Sequence, residues 1–369
     1  MRMVMRKNAK RRRTGFTLIE LLIGMTIMLV VILATLYIYS RSNKVSVDQQ
    51  QYAEVQHNVR AGMYFISRDL RMTGVNMPAE FMGYFLQGVN NDTTDTAAGV
   101  TPDRLKLIGN MDDPLLLRIQ SYNGTSDPLT LENYSFEQNP YLDSYYLQKF
   151  ILILPNPASG CRLGQVKIVS QFTHNLGGGT ESLLLSPATE VILPGNLSGN
   201  CSGGDYTGGS VVFANVKEYW LDATGHYPGL TAGQNGYIGD GHGGILYVTS
   251  NGVHMPLAQN IENLQFQYNG DFDNVGQHTL DGFQNWPDSG WTITQVGRIR
   301  QIRLLILGRT PNRMVSVSGN PPGGLYLYRR PALADTSAAA QNDMHKRFQL
   351  ESTANIRNMS LSTYNTGER

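Results

Sequence analysis

The stretch Arg13-Thr14-Gly15-Phe16-Thr17-Leu18-Ile19-Glu20-Leu21-Leu22 sets a glycine between a basic leader and an apolar run with one acid. Residues 1–15 carry seven positive charges (Arg2, Arg6, Lys7, Lys10, Arg11, Arg12 and Arg13) and no acid. From Phe16 to Tyr39 the only charged side chain is Glu20. At about 1.5 Å rise per residue this run spans about 36 Å as a helix, enough to cross a hydrocarbon core about 30 Å thick. The positive-inside rule puts the leader in the cytoplasm and everything after Tyr39 on the other side. Tyr37, Tyr39 and Arg41 then fall where interfacial anchors are expected.

An ordinary secretory signal peptide is the competing reading. It would have a shorter apolar core of about 7–15 residues and a small-residue cleavage site after that core. Here the run is longer, no clean Ala-x-Ala follows it, and the glycine precedes it. A plain membrane anchor gives no reason for Glu20. An acid at that depth costs about 2.5–3.5 kcal/mol on insertion scales and marks a functional position.

This order of residues closely resembles the type IV prepilin processing signal shared by type IV pilins and type II secretion pseudopilins. The resemblance implies that a prepilin peptidase cuts after Gly15 and that the new terminus, Phe16, is N-methylated. It also implies that Glu20, fifth in the mature chain, meets the terminal amine of a neighbouring subunit. Physical chemistry agrees, because an isolated carboxylate is costly in an apolar fibre core and one paired with an ammonium is tolerable. Many major pilins carry a helix proline, whereas this chain has none between Phe16 and Met77. That departure fits a minor subunit better than a bulk one. Cleavage would also change the charge: of 30 basic and 29 acidic residues, 23 and 29 would remain, a net charge of −6. A mildly acidic exported protein is a poor nonspecific nucleic-acid binder.

Helical periodicity continues past the membrane segment. Val45, Tyr52, Val55, Val59, Met63, Ile66 and Leu70 recur at helical spacing, with Asp48, Glu54, Arg60 and Arg68 between them, until Gly74 and Pro78. The pattern predicts one helix from 16 to about 72. The expected division is a leader (1–15), a transmembrane or filament-core helix (16–39), its amphipathic continuation (40–76) and a β-rich periplasmic or extracellular head (77–369). The fold class is α+β, pilin-like, with the long helix packed on the sheet of the head.

In the head, strands are expected at Phe150–Leu154, Gln165–Phe172, Ser210–Trp220, Ile245–Thr249, Leu264–Tyr268 and Ile299–Leu307. Asn251-Gly252 between Ile245–Ser250 and Val253–Leu257 signals a two-residue hairpin. Alternation of Leu264, Phe266 and Tyr268 with Gln265 and Gln267 reads as a half-buried strand. Gly/Asn/Asp-rich stretches at 87–103, 120–146, 221–244 and 269–292 read as loops or insertions, and a head this large leaves room for two sub-lobes. Cys161 and Cys201 are expected to pair in an oxidising compartment, closing a loop of about 40 residues and contributing about 3–4 kcal/mol. Two free thiols are the alternative.

The blocks Asn260–Tyr268, Val296–Leu307, Lys346-Arg347-Phe348 and Ala354–Asn358 resemble the PilW-type minor pilins, relatives of the J pseudopilin of type II secretion. The resemblance implies a minor pilin that joins other minor pilins in a complex priming assembly, at or near the tip. Its implied partners are other minor pilins, the major pilin, the prepilin peptidase and the inner-membrane assembly platform. Its implied location is the inner membrane, with a cytoplasmic N-terminus and a periplasmic head, and then the surface pilus. A type II secretion pseudopilin and a pilus-borne adhesin are the alternatives. Residues 80–255 carry no such resemblance.

No enzymatic constellation is expected. Gly239-Asp240-Gly241-His242-Gly243-Gly244 satisfies G-x-G-x-x-G but precedes a strand rather than opening a helix, so it reads as a loop. No Walker motif, H-E-x-x-H or G-x-S-x-G occurs. One metal reading stands: Asp271, Asp273, Asn274 and Asp281 gather oxygen ligands suited to Ca2+, in a region where related minor pilins often have an aspartate-rich loop. Val275 at the fifth position departs from an EF-type loop and favours a solvated acidic turn.

Overall fold

The structure is a computed structural model describing residues 16–75, 83–92, 101–111, 116–122, 128–132, 147, 149–159, 165–174, 181–187, 206–222, 244–250, 252–273, 280–312, 328–339 and 342–356. Two compact units divide it: one takes the long helix as far as Gln50, the other the helix from Gln51 onward with every described strand.

Helix α1 runs from Leu18 to Met72, 55 residues without a break. Its first part is apolar on every side and fully exposed within the chain, and it is long and apolar enough to cross a membrane. In the second unit one stripe is buried, with Val55, Val59, Met63, Ile66 and Leu70 at spacings of three and four. Gly74 ends the helix at φ 69°, and its N–H bonds Ile108 O at 3.0 Å. Glycine takes this left-handed conformation without the Cβ strain other residues meet.

The strands, all paired antiparallel, are β1 (Leu86–Val89), β2 (Arg104–Gly109), β3 (Leu116–Ser121), β4 (Leu129–Leu131), β5 (Phe150–Leu154), β6 (Gln165–His174), β7 (Glu181–Pro187), β8 (Ser210–Asp222), β9 (Gly244–Ser250) and β10 (Val253–Gly270). After a short helix α2 (Ile293–Gly297) come β11 (Ile299–Arg309), β12 (Tyr328–Arg329), β13 (Asn342–Asp343) and β14 (Arg347–Asn355). Strands β12 and β13 form a separate two-stranded ribbon.

The main sheet has the order β1-β2-β8-β9-β10-β11-β14. The helix stripe packs on its middle: Leu246 and Ile306 surround Gly62, while Gly308 lies under Val55 and Val59. A Cβ at Gly308 would come within 2.6 Å of Val59 Cγ2 and 2.7 Å of Val55 Cγ1, so this close approach requires glycine.

Strand β8 belongs to two structures at once. Its C-terminal half pairs with β2 and β9 in the main sheet. Its N-terminal half pairs with β3 on one edge and β5 on the other, and the path β8-β3-β4-β7-β6-β5 returns to β8. The six strands therefore close on themselves like a small barrel. Leu117, Ile119, Leu129, Leu131, Ile151, Ile153, Val169, Leu183, Val211 and Phe213 form its own core. The alternate residues Phe150, Leu152, Val212 and Ala214 face the main core instead. Period-two alternation in β5 and β8 thus serves a core on each face. The barrel thus has a hydrophobic core of its own within the second unit.

All six expected strands are present. The hairpin is formed as expected, with Val253 opposite Ser250 and Gly252 at φ 84°. The ranges 87–103 and 120–146 are not wholly loop, since β1 reaches Val89 and β4 occupies Leu129–Leu131. One expectation fails on β10: Gln265 does not face solvent but is fully buried, as is Asn263 two residues before it, while Gln267 is half-buried. Gln265 donates to Thr101 O and Asn263 to Thr336 Oγ1, so the opposite face is covered by polar contacts rather than water.

Candidate functional site

At the start of α1, Thr17 is the cap and Glu20 the third helical residue. Glu20 Oε2 accepts the Thr17 N–H and the Thr17 hydroxyl, each at 2.9 Å, while the Glu20 N–H reaches Thr17 Oγ1 at 3.3 Å. The sequence Thr-x-x-Glu is the capping-box pattern, which satisfies donors that a helix start leaves orphaned. Within one chain the carboxylate is thus held by Thr17, and Oε1 has no partner among the described residues. Phe16 is 89% exposed, and Gly15 lies outside the described residues. Further along, the Thr26 and Thr35 hydroxyls donate to Ile23 O and Val31 O, so neither needs water. A segment this apolar and bare within its own chain is built to be covered by lipid or by other helices.

Asp271, Asp273 and Asp281 come together, with one ligand-capable atom from each within 4.8 Å of the others. Asn274 lies outside the described residues. Asp281 Oδ2 accepts the N–H groups of Phe272 at 2.6 Å and Asp273 at 3.2 Å, so this carboxylate braces its own turn. Arg300, whose guanidinium burial drives its pKa down, is also held positive by Asp271 nearby. The turn therefore has internal partners for its charge and oxygens. Cys161 and Cys201 lie outside the described residues, as does most of Gly239–Gly244; Gly244 itself opens β9 rather than a helix.

Two charged groups escaped the sequence reading. Asp69 adjoins Leu70 on the buried face of α1, and its side chain is 2% exposed. Its Oδ2 accepts from Lys217 Nζ at 2.9 Å and Tyr219 OH at 2.6 Å on β8, and its Oδ1 accepts Arg68 Nε at 2.9 Å. Burial pushes this carboxyl up, but the bonds from Tyr219, Lys217 and Arg68 together hold it below its ordinary value. The result is a polar latch between helix and sheet. A second buried ion pair joins Arg347 to Glu262, at 2.5 and 2.9 Å, and to Asp343. An acid beside the apolar stripe, at 69, was the available signal for the first.

Comparison with known proteins adds one decisive observation. Residues 10–36 match the family model for the prokaryotic N-terminal methylation motif. The chain carries a prepilin-type N-terminus. The matched residues include Gly15, Phe16, Thr17 and Glu20, so the capping box of this prepilin-type chain lies inside the motif. No curated protein matches the chain. Among solved structures, a type IV-like pilin from Thermus thermophilus aligns over 59% of this chain and 93% of its own at 12% identity. Its TM-score is 0.20, too low to carry an argument about the head. Pilin-like character therefore rests on the motif and on the long apolar helix followed by an antiparallel sheet.

Proposed function

We propose that this chain is a minor pilin of a type IV pilus. It is cut after Gly15, N-methylated at Phe16, and joins other minor pilins in a complex that primes polymerisation and stays at the tip. The observation carrying this reading is the methylation motif over residues 10–36. Three features support the minor role. The apolar helix has no proline up to Met77. The head carries a closed six-stranded lobe beyond the sheet that packs on the helix, a bulk that would crowd a fibre lattice. The blocks after Asn260 resemble those of PilW-type minor pilins.

Assembly is driven by packing of the bare apolar helices and by an intersubunit contact between the Glu20 carboxylate and the new Phe16 amine. That contact is strong only where water is excluded. Before cleavage the amine does not exist, so the contact is switched on by processing.

Deletion and complementation of the gene in its native host tests the role. Surface pili counted by electron microscopy should fall sharply in the deletion and return with the wild-type gene. Normal piliation with lost protein secretion would replace this reading by a type II secretion pseudopilin. Normal piliation with lost adhesion would replace it by a pilus-borne adhesin.

A further inference from the structure

Asp103, immediately before β2, is a buried carboxylate in an unusual setting. Only 3% of the residue is exposed. Its backbone N–H bonds Leu264 O at 2.8 Å, and its Oδ2 accepts the Phe266 N–H at 2.7 Å. Its Oδ1 accepts the Asn91 N–H at 3.0 Å. The same Asn91, in the left-handed conformation at φ 53°, donates through Nδ2 to Asp335 Oδ2 at 2.9 Å. One asparagine thus links two carboxylates. Among the described residues no lysine or arginine pairs with either of them.

Two more buried oxygens, both from amides, have no hydrogen-bond donor. Gln265 is fully buried, and its Oε1 accepts no hydrogen bond. Its Nε2 is committed to Thr101 O at 2.7 Å and Asn263 Oδ1 at 3.4 Å, which fixes the orientation of the amide. Gln265 lies on β10 between Leu264 and Phe266, the two residues that Asp103 bonds, so it leaves the strand at the level of Asp103. Asn90 follows the Val89–Arg104 pair and so stands opposite Asp103 in register; its Oδ1 is buried and without a donor.

A buried acceptor without a donor costs about 1–3 kcal/mol, and a buried charge without a partner costs more. A proton on Asp103 would supply one donor and leave the other acceptor oxygens unmet. Water would satisfy the amides but would not neutralise the buried carboxylate of Asp103. A cation answers both needs.

We propose that Asp103, Asp335, Gln265 Oε1 and Asn90 Oδ1 form a binding site for a hard divalent cation with the coordination chemistry of calcium. Two carboxylates neutralise a 2+ charge, the two amide oxygens are ligands of the kind calcium takes, and water completes its six to eight positions. Asp335 is exposed and gives the ion its way in. The ion ties the β1–β2 region, β10 and the 331–339 turn together. It is a different group of residues from the acidic turn at 271–281.

The test uses the full chain in detergent, freed of metal by a chelator, with Ca2+, Mg2+ or Na+ added alone. Calorimetric titration should show Ca2+ binding, and Ca2+ should raise the melting temperature in a concentration-dependent way. Asp335→Asn keeps an acceptor for Asn91 and lies at the surface, so it folds; it should weaken Ca2+ binding by about tenfold or more. Asp273→Asn should leave that binding unchanged. No heat and no thermal shift with either Ca2+ or Mg2+ would overturn the site. So would Ca2+ binding that survives Asp335→Asn at full strength, or that Asp273→Asn abolishes.

Discussion

Thr17 gives both its N–H and its hydroxyl to a single oxygen of Glu20, each at 2.9 Å. The acid of the methylation motif thus closes the capping box of α1 with one oxygen, and its other oxygen has no partner among the described residues. Capping and charge can be separated experimentally, because glutamine also serves at the third position of a capping box.

Glu20→Gln should therefore preserve the helix start and membrane insertion but lose assembly. Incorporation into pili, read by immunoblot of sheared filaments, should fall about tenfold or more, a loss on the order of 1.4 kcal/mol or greater in the contact. Incorporation equal to wild type would make the residue a cap and nothing more. Thr17→Val should cost about 1 kcal/mol in local helix stability, seen as faster amide exchange over the first turn.

The latch at Asp69 should be a large single contributor to the head. Asp69→Ala leaves Lys217, with an 11% exposed side chain, without its carboxylate. Breaking a buried pair in this way costs about 3–5 kcal/mol, measurable by denaturant unfolding followed through head fluorescence. Asp69 sits below its ordinary value in the folded chain. Its stabilisation is thus complete above the unfolded carboxylate pKa of about 3.9 and is lost as pH falls through the folded value. The variant should show a weaker acid-side loss than wild type.

Asp103 has the opposite sign. Its folded pKa is raised to about 7, so the folded state binds the proton more tightly than the unfolded one. In chelator, stability from this group is complete below about pH 4 and falls until pH passes about 7, by about 1.4 kcal/mol per unit of difference. Asp103→Asn should flatten that slope whatever its effect on absolute stability. A wild-type slope unchanged by the substitution would contradict the assignment.

Gly308→Ala tests the helix–sheet contact. The added methyl would meet Val55 and Val59, and overpacking of this kind costs about 1–3 kcal/mol. The melting temperature of the head should drop, and a neutral outcome would mean that the helix is free to lift from β11.

Much of this fold was legible because hydrophobic period follows structure. The stripe Val55, Val59, Met63, Ile66, Leu70 gave the packed face of α1, and Asn251-Gly252 gave the hairpin. Strand β4, with three residues, is too short to show a period, whereas β14 carries a legible period-two signal, Phe348, Leu350 and Ala354 alternating with Arg347, Gln349, Glu351 and Thr353. Closure of the barrel was beyond local reading, since Leu116–Arg118 meets Ser210–Val212 across more than 90 residues of chain. Gln265 and Asp103 misled or were missed because a polar residue is expected at the surface. Here both are covered, and their bonding is visible only once β2 and β10 are side by side.

Whether the chain is processed as a prepilin decides everything built on Glu20. Mass spectrometry of the protein purified from its native membrane reads this directly. The N-terminal peptide should begin at Phe16 with one added methyl group on its amine. A peptide retaining the leader residues, or one beginning beyond Tyr39, would contradict the proposed pathway.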